Sequence, residues 1–179
     1  MGDPSRYRVQ GLLKDLVVLD MLELTGSTAA AARLLHLSQP TVSRRARWVM
    51  AQLDLLPPSD DQPGRKFKTT AWLQLLRQGV NSHRLSWGVL RIGGAEASAM
   101  GLQGQAGVEW VTLGRRQMLH WQPWLELELL DAVLLQVPPP VSVAGARPYR
   151  LLPCANGWLA CRIEPQVLQL AASLKDQGW

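Results

Sequence analysis

Leu13, Leu16, Val17, Met21 and Leu24 recur at helical spacing and predict a first helix over residues 12–24, one stripe buried and Lys14, Asp15 and Glu23 in water. Thr25-Gly26 ends it. Ser27 or Thr28 has the hydroxyl to cap a second helix, whose small residues Ala29, Ala30, Ala31 and Ala32 admit a close neighbour. After a short link at His36-Leu37, Ser38 stands as the next N-cap and Pro40 falls in the first turn of a third helix running to Leu53. Val42, Ala46 and Val49 face inward on it, while Gln39, Thr41, Ser43, Arg44, Arg45 and Arg47 lie on its other side. Three helices with a tight link between the second and third follow the helix-turn-helix plan, in which the third enters the DNA major groove.

Residues 56–64 are rich in proline and aspartate and end in glycine, so they cannot continue a helix. Residues 65–69 alternate polar and apolar, which predicts a short strand and with it a basic wing. Helical spacing returns over residues 70–87, where Trp72, Leu76, Val80 and Trp87 form an apolar side too large to leave wet; it predicts pairing with a second copy of the chain. Beyond Gly88, strands are predicted at 89–94, 108–114 and 131–135, with a helical segment at 115–130 that Pro123 must start or kink. Residues 151–154 and 158–163 read as a further strand or hairpin, and Pro165 opens a last helix expected to cover it. The expected class is α+β: a winged helix-turn-helix unit at residues 1–69, a long linker and dimerisation helix at 70–88, and a small α/β lobe at 89–179.

Composition narrows the function classes. Of 179 residues, 47% are apolar and 18% charged, which excludes a disordered, collagen-like or disulfide-framework chain. The longest uncharged stretch, residues 132–146, contains Pro138, Pro139 and Pro140, so no membrane-spanning helix is expected there. The first residues match neither a signal peptide nor a myristoylation signal, and the expected location is the cytoplasm, with no membrane partner. Cys154 and Cys161, seven apart, match neither a zinc knuckle nor a redox pair and read as buried thiols. His36, His83 and His120 are widely separated, so no metal and no cofactor is expected. His120 and Asp131 lack the nucleophile motif or paired carboxylates that would make them an acid/base pair, and the chain is not expected to be an enzyme. Gly101, Gly104 and Gly107 lack the Gly-Lys-Ser/Thr of a phosphate loop and read as loop glycines.

The net charge of +5 is unevenly placed. Residues 1–88 hold 12 Lys and Arg against 7 Asp and Glu, whereas residues 89–179 hold 7 of each. Arg33, Arg44, Arg45, Arg47, Arg65, Lys66, Lys68, Arg77 and Arg84 face only Asp54, Asp60 and Asp61 between positions 33 and 84. Such an excess fits a polyanionic partner as well as a solvated set of helix faces.

Residues 26–44, Gly-Ser-Thr-Ala-Ala-Ala-Ala-Arg-Leu-Leu-His-Leu-Ser-Gln-Pro-Thr-Val-Ser-Arg, resemble the LysR-type transcriptional regulators in the order and spacing of the Ala-Ala pair, the leucine, Ser-Gln-Pro and Val-Ser-Arg. The resemblance continues through residues 65–69 as the family's wing, 70–87 as its dimerising linker helix, and 90–135 as the first strands of an effector domain. It implies that the α/β lobe is half of a periplasmic-binding-protein-like effector domain. Asp54 stands where members carry a glycine, and Pro57-Pro58 where a Phe and an Arg are common. Gln39, Ser43 and Arg44 then lie where the family's recognition helix meets DNA; Gln is suited to adenine edges and Arg to guanine edges.

The expected DNA-contacting set is Ser27, Thr28, Ser38, Gln39, Pro40, Thr41, Ser43, Arg44, Arg45, Arg47, Lys66 and Lys68. Ser27, Thr28, Ser38 and Thr41 serve equally as caps, and a cap aims amide protons at a phosphate, so both roles hold together. In the family the loop after the first effector strand lines an inducer pocket, which implies Gly94, Glu96 and Ser98; as plain loop residues they would be structural. The expected function is dimeric, sequence-specific binding of double-stranded DNA to regulate transcription. An accessory or competing DNA binder that responds to no inducer, since no second lobe fits after Leu135, and a small-molecule-binding α/β protein are the alternatives.

Overall fold

A computed structural model describes residues 3–8, 11–58, 66–98, 102, 104–139 and 149–176. Three helices come first: α1 (Lys14–Thr25), α2 (Thr28–Leu34) and α3 (Gln39–Gln52). Gly26 takes φ 69° and closes α1 with its amide on Leu22 O, a left-handed position that suits glycine. Ser27 caps α2 through Ala30 N, and Ser38 caps α3 through Thr41 N at 3.3 Å, as the local sequence demands. The link between α2 and α3 turns at His36, φ 53°, where the Leu37 amide reaches Ala32 O at 2.9 Å. The same closure ends α3 at Asp54, φ 47°, with the Leu55 amide on Met50 O. Asp54 thus takes the conformation that a glycine would adopt with least strain.

The first helix corrects one expectation. Glu23 is sealed from solvent, as is Asp20, because both face arginines from later in the chain. The expected strand at 65–69 is also absent among the described residues 66–69, which form a bend and irregular backbone. A strand needs a ladder of alternating bonds, and the Lys68 amide, which donates to Leu56 O at 2.9 Å, does not by itself make one. The in-out alternation persists: Phe67 is buried between exposed Lys66 and Lys68.

Helix α4 (Ala71–Ser86), capped by Thr70, leads through Gly88 to the sheet. The strands are β1 (Leu90–Gly94), β2 (Val108–Thr112), β3 (Ala132–Leu135), β4 (Tyr149–Cys154) and β5 (Gly157–Arg162), in spatial order β2-β1-β3-β5-β4. β1 runs parallel to β2 and β3; β5 is antiparallel to β3 and forms a hairpin with β4. Pro153 sits on edge strand β4, where a missing donor is tolerated. The predicted helix at 115–130 is two short ones, α5 (Arg115–Leu119) and α6 (Trp121–Glu126), broken at His120 rather than at Pro123. Pro123 is accommodated because it lies in the first turn of α6.

Strand β3 shows how the sheet is sandwiched. Ala132 and Leu134 pack with Leu90, Ile92, Leu159 and Cys161 under α7 (Pro165–Asp176), while Val133 and Leu135 point the other way. That other face shares one apolar cluster with Trp121 and Trp124 of α6 and with the interior of α1, α2 and α3. The core therefore continues from the N-terminal helices into the sheet. Cys161 is buried and Cys154 half-buried, and burial pushes the Cys161 thiol up to about 12.

Candidate nucleic-acid interface

The N-termini of α2 and α3 are held side by side. Gln39 Nε2 donates to Thr28 Oγ1 at 3.1 Å, and Ser38 and Thr41 share a hydroxyl bond of 2.8 Å. The carboxamide oxygen of Gln39 is left to accept elsewhere. Ser27, Ser38, Gln39 and Pro40 are exposed, with Thr28 and Thr41 half-buried. Val42, Ala46 and Val49 are buried, which fixes the roll of α3 about its axis and turns Arg44 and Arg47 outward with Ser43 at the flank. Arg47 Nε donates to Ser43 O at 3.3 Å, laying its guanidinium along the helix. Arg45 departs from the outward set: it reaches back to Asp15 on α1 at 3.5 Å, its side chain 40% exposed.

Trp48 was not among the expected site residues, yet it is 57% exposed, one turn beyond Arg44. It lines a surface depression with Lys14, Arg44 and Arg45. The signal available was its helical spacing from Arg44, which sets both side chains on one face. Lys66 and Lys68 are exposed on either side of Phe67, which anchors that segment and lies 5.9 Å from the Arg77 guanidinium.

Two arginines leave the cationic surface altogether. Arg77 is paired with Asp20 and Glu23, both at 2.8 Å, and Arg84 with Asp131, all sealed from solvent. Burial alone would lower the Arg77 pKa, but the two carboxylates outweigh it and hold it above the usual value. Arg84 is raised for the same reason, with Asp131 as the opposing charge. Of that basic set, Arg33, Arg44, Arg47, Lys66 and Lys68 are exposed and Arg45 is half-buried beside Asp15, while Arg65 lies outside the described residues.

Helix α4 also differs from expectation. Val80 is 2% exposed and belongs to the core, and Leu76 is half-buried against the same cluster. Trp87 is half-buried with its ring near His83. Val80 is thus taken up by the core, and Leu76 in part. The outward apolar residues are Trp72 and Leu75, each 60% exposed, with Gly79 one turn beyond Leu75.

The residues implied for an inducer pocket do not converge. A side chain at Gly94 would collide with the Trp110 ring, so Gly94 is a packing position. Ser98 is buried in a short turn, whereas Glu96 is exposed. Asp131 is held ionised by Arg84 and Arg162, while His120 is exposed. Among the described residues no group of His, Cys, Asp or Glu could hold a metal ion, and no helix is long and apolar enough to cross a membrane.

No family model and no curated relative matches the chain. Solved structures do. A full-length OxyR from Pseudomonas aeruginosa is 16% identical, with 79% of this chain and 54% of that chain covered at a TM-score of 0.37. HinK, a LysR family transcriptional regulator from Pseudomonas aeruginosa, is 19% identical over 79% of this chain and 51% of its own, with a TM-score of 0.30. DarR from Vibrio fischeri, solved in complex with DNA, is 16% identical over 81% of this chain and 55% of its own, with a TM-score of 0.28. This chain spans about half the length of these structures. The solved structures to which the chain is similar include LysR family transcriptional regulators.

Proposed function

We propose that the chain is a LysR-type regulator that binds double-stranded DNA in a sequence-specific manner through a winged helix-turn-helix formed by α1, α2, α3 and the segment carrying Lys66 and Lys68. The observation that carries this reading is the outward face of α3. It joins Gln39, Ser43, Arg44 and Arg47 on a helix whose other side is locked into the core. Base edges in the major groove offer paired acceptors at guanine and a donor with an acceptor at adenine, which suit Arg and Gln side chains held on one rigid helix. Ser27, Thr28, Ser38 and Thr41 flank that face, where hydroxyls and capped amides suit phosphate oxygens. Trp48 adds an apolar contact beside Arg44.

The reading includes a dimer, because a two-fold pair places two recognition helices on separate half-sites. Its seam is Trp72 and Leu75 with Gly79, where the absence of a side chain admits a close helix. No catalytic role is assigned, and the expected location is the cytoplasm. Selection of bound fragments from sheared genomic DNA of the source, followed by anisotropy titration, tests the proposal. A restricted set of fragments should be retained over random DNA of equal length. Equal affinity for every fragment would overturn it.

A further inference from the structure

The C-terminal ends of parallel strands such as β1 and β2 are where an open α/β sheet receives ligands, and in this chain residues of α2 face those at and just after these ends. Between them lies a cleft of ≈ 390 Å³, with Ala30, Arg33 and Leu34 of α2 on one wall and Glu96, Thr112 and Gly114 on the other. That volume lies within the range of small-molecule sites. Its walls are held in place, since Gln117 of α5 donates to Thr25 O at 3.3 Å. The Gln117 amide also sits so close to Gly26 that a Cβ there would lie 2.6 Å from Nε2.

The chemistry of the cleft is bipolar. Arg33 and Glu96 line it from different elements, both are exposed, and among the described residues neither side chain takes part in a hydrogen bond or ion pair. Thr112 Oγ1 accepts from Trp110 Nε1 at 3.2 Å, which orients the oxygen and leaves its own proton to donate. Ala30 and Leu34 supply apolar surface between the charges.

We propose that this cleft binds a small zwitterion of amino-acid type, its carboxylate on Arg33 and the Thr112 hydroxyl and its ammonium on Glu96. A ligand so placed touches both the helical unit and the sheet, and it stabilises their contact by mass action. Glu96 alone of the residues implied for an inducer pocket belongs to this site, and the opposing wall is α2.

Calorimetric titration of the intact chain without DNA, against each standard L-amino acid and against acetate and methylammonium as half-ligands, tests the proposal. At least one amino acid should bind saturably, with either half-ligand weaker by about tenfold or more. Arg33→Ala and Glu96→Ala should each weaken that binding by about tenfold or more while the unliganded melting temperature stays unchanged, both side chains being exposed. Absence of binding at millimolar amino acid, binding that survives both substitutions, or acetate binding as tightly as the amino acid would each overturn it. DNA-fragment selection by the unliganded chain reads the regulator proposal separately.

Discussion

The Arg77 guanidinium and the Asp20 carboxylate meet at 2.8 Å with both side chains sealed from solvent. Arg91 of β1 approaches the other Asp20 oxygen at 3.7 Å, so a single carboxylate stands between α1, α4 and the sheet. Arg91 in turn pairs with Glu109 at 3.1 Å, Glu109 lies 3.8 Å from Arg84, and Arg84 pairs with Asp131, which also holds Arg162. Charges of alternating sign thus run from the N-terminal helices to β5. Apart from the partly exposed Glu109, these side chains have left water, which is tolerable only with partners in place, so the pairs specify how the two halves sit together.

Arg77→Met takes the guanidinium away from the buried Asp20 and Glu23 and leaves Asp20 only its longer contact to Arg91. The variant should lose about 3–5 kcal/mol of unfolding free energy in urea titrations at pH 7. A loss below that of a typical surface substitution would show that the two acids find water instead.

Base-reading and phosphate-binding residues should separate in DNA titrations. Arg44→Ala and Gln39→Ala should each weaken specific binding by about 1–3 kcal/mol and relax preference among operators. Lys66→Ala and Lys68→Ala should weaken binding to all sequences alike and reduce the slope of log affinity against log salt by about 1 each. Unchanged affinity and preference in Arg44→Ala would place the recognition surface elsewhere.

On α4, Trp72→Glu and Leu75→Glu should give folded monomers in sedimentation velocity, since both side chains project outward. Val80→Glu should instead unfold the chain, because that position lies in the core. A wild-type chain that sediments as a monomer at micromolar concentration would remove the dimer from the functional reading.

Asp131 should titrate anomalously low. Burial alone would raise its pKa, but Arg84, Arg162 and the Arg91 amide hold it below the ordinary value of 3.8. With the folded pKa depressed, the stabilisation is complete above the unfolded value and is lost as pH falls through the folded one. Carboxyl carbon shifts followed by NMR should therefore show Asp131 still ionised where exposed aspartates are half protonated. A midpoint at or above 3.8 would refute the pairing.

Asp54→Gly should raise stability by about 0.5–1 kcal/mol in thermal or urea unfolding, because the left-handed turn after α3 costs glycine less than any side chain. Asp54→Val should destabilise, a branched side chain being least tolerant of that conformation.

Local features were legible in the residues themselves. Ser27, Ser38 and Thr70 cap helices because a hydroxyl one position before a helix meets amides three residues ahead, and that geometry needs nothing distant. The strands around Ile92, Trp110, Val133 and Ala160 were legible from their apolar runs, and the α3 surface from its period. Tertiary structure decided the rest. His36, Asp54 and Glu128 turn left-handed at helix ends where glycine is the usual residue, because the closing backbone bonds and their neighbours hold them there. Asn81 Nδ2, for example, grips Glu128 O at 2.7 Å. Arg77 and Arg84 read as part of a cationic face, yet they are buried because their acids arrive from up to 57 positions away, a distance no local pattern encodes. The same holds for α4: its period announces an apolar stripe, and only the packing of α1, α6 and the sheet decides which part of that stripe is core and which part faces outward.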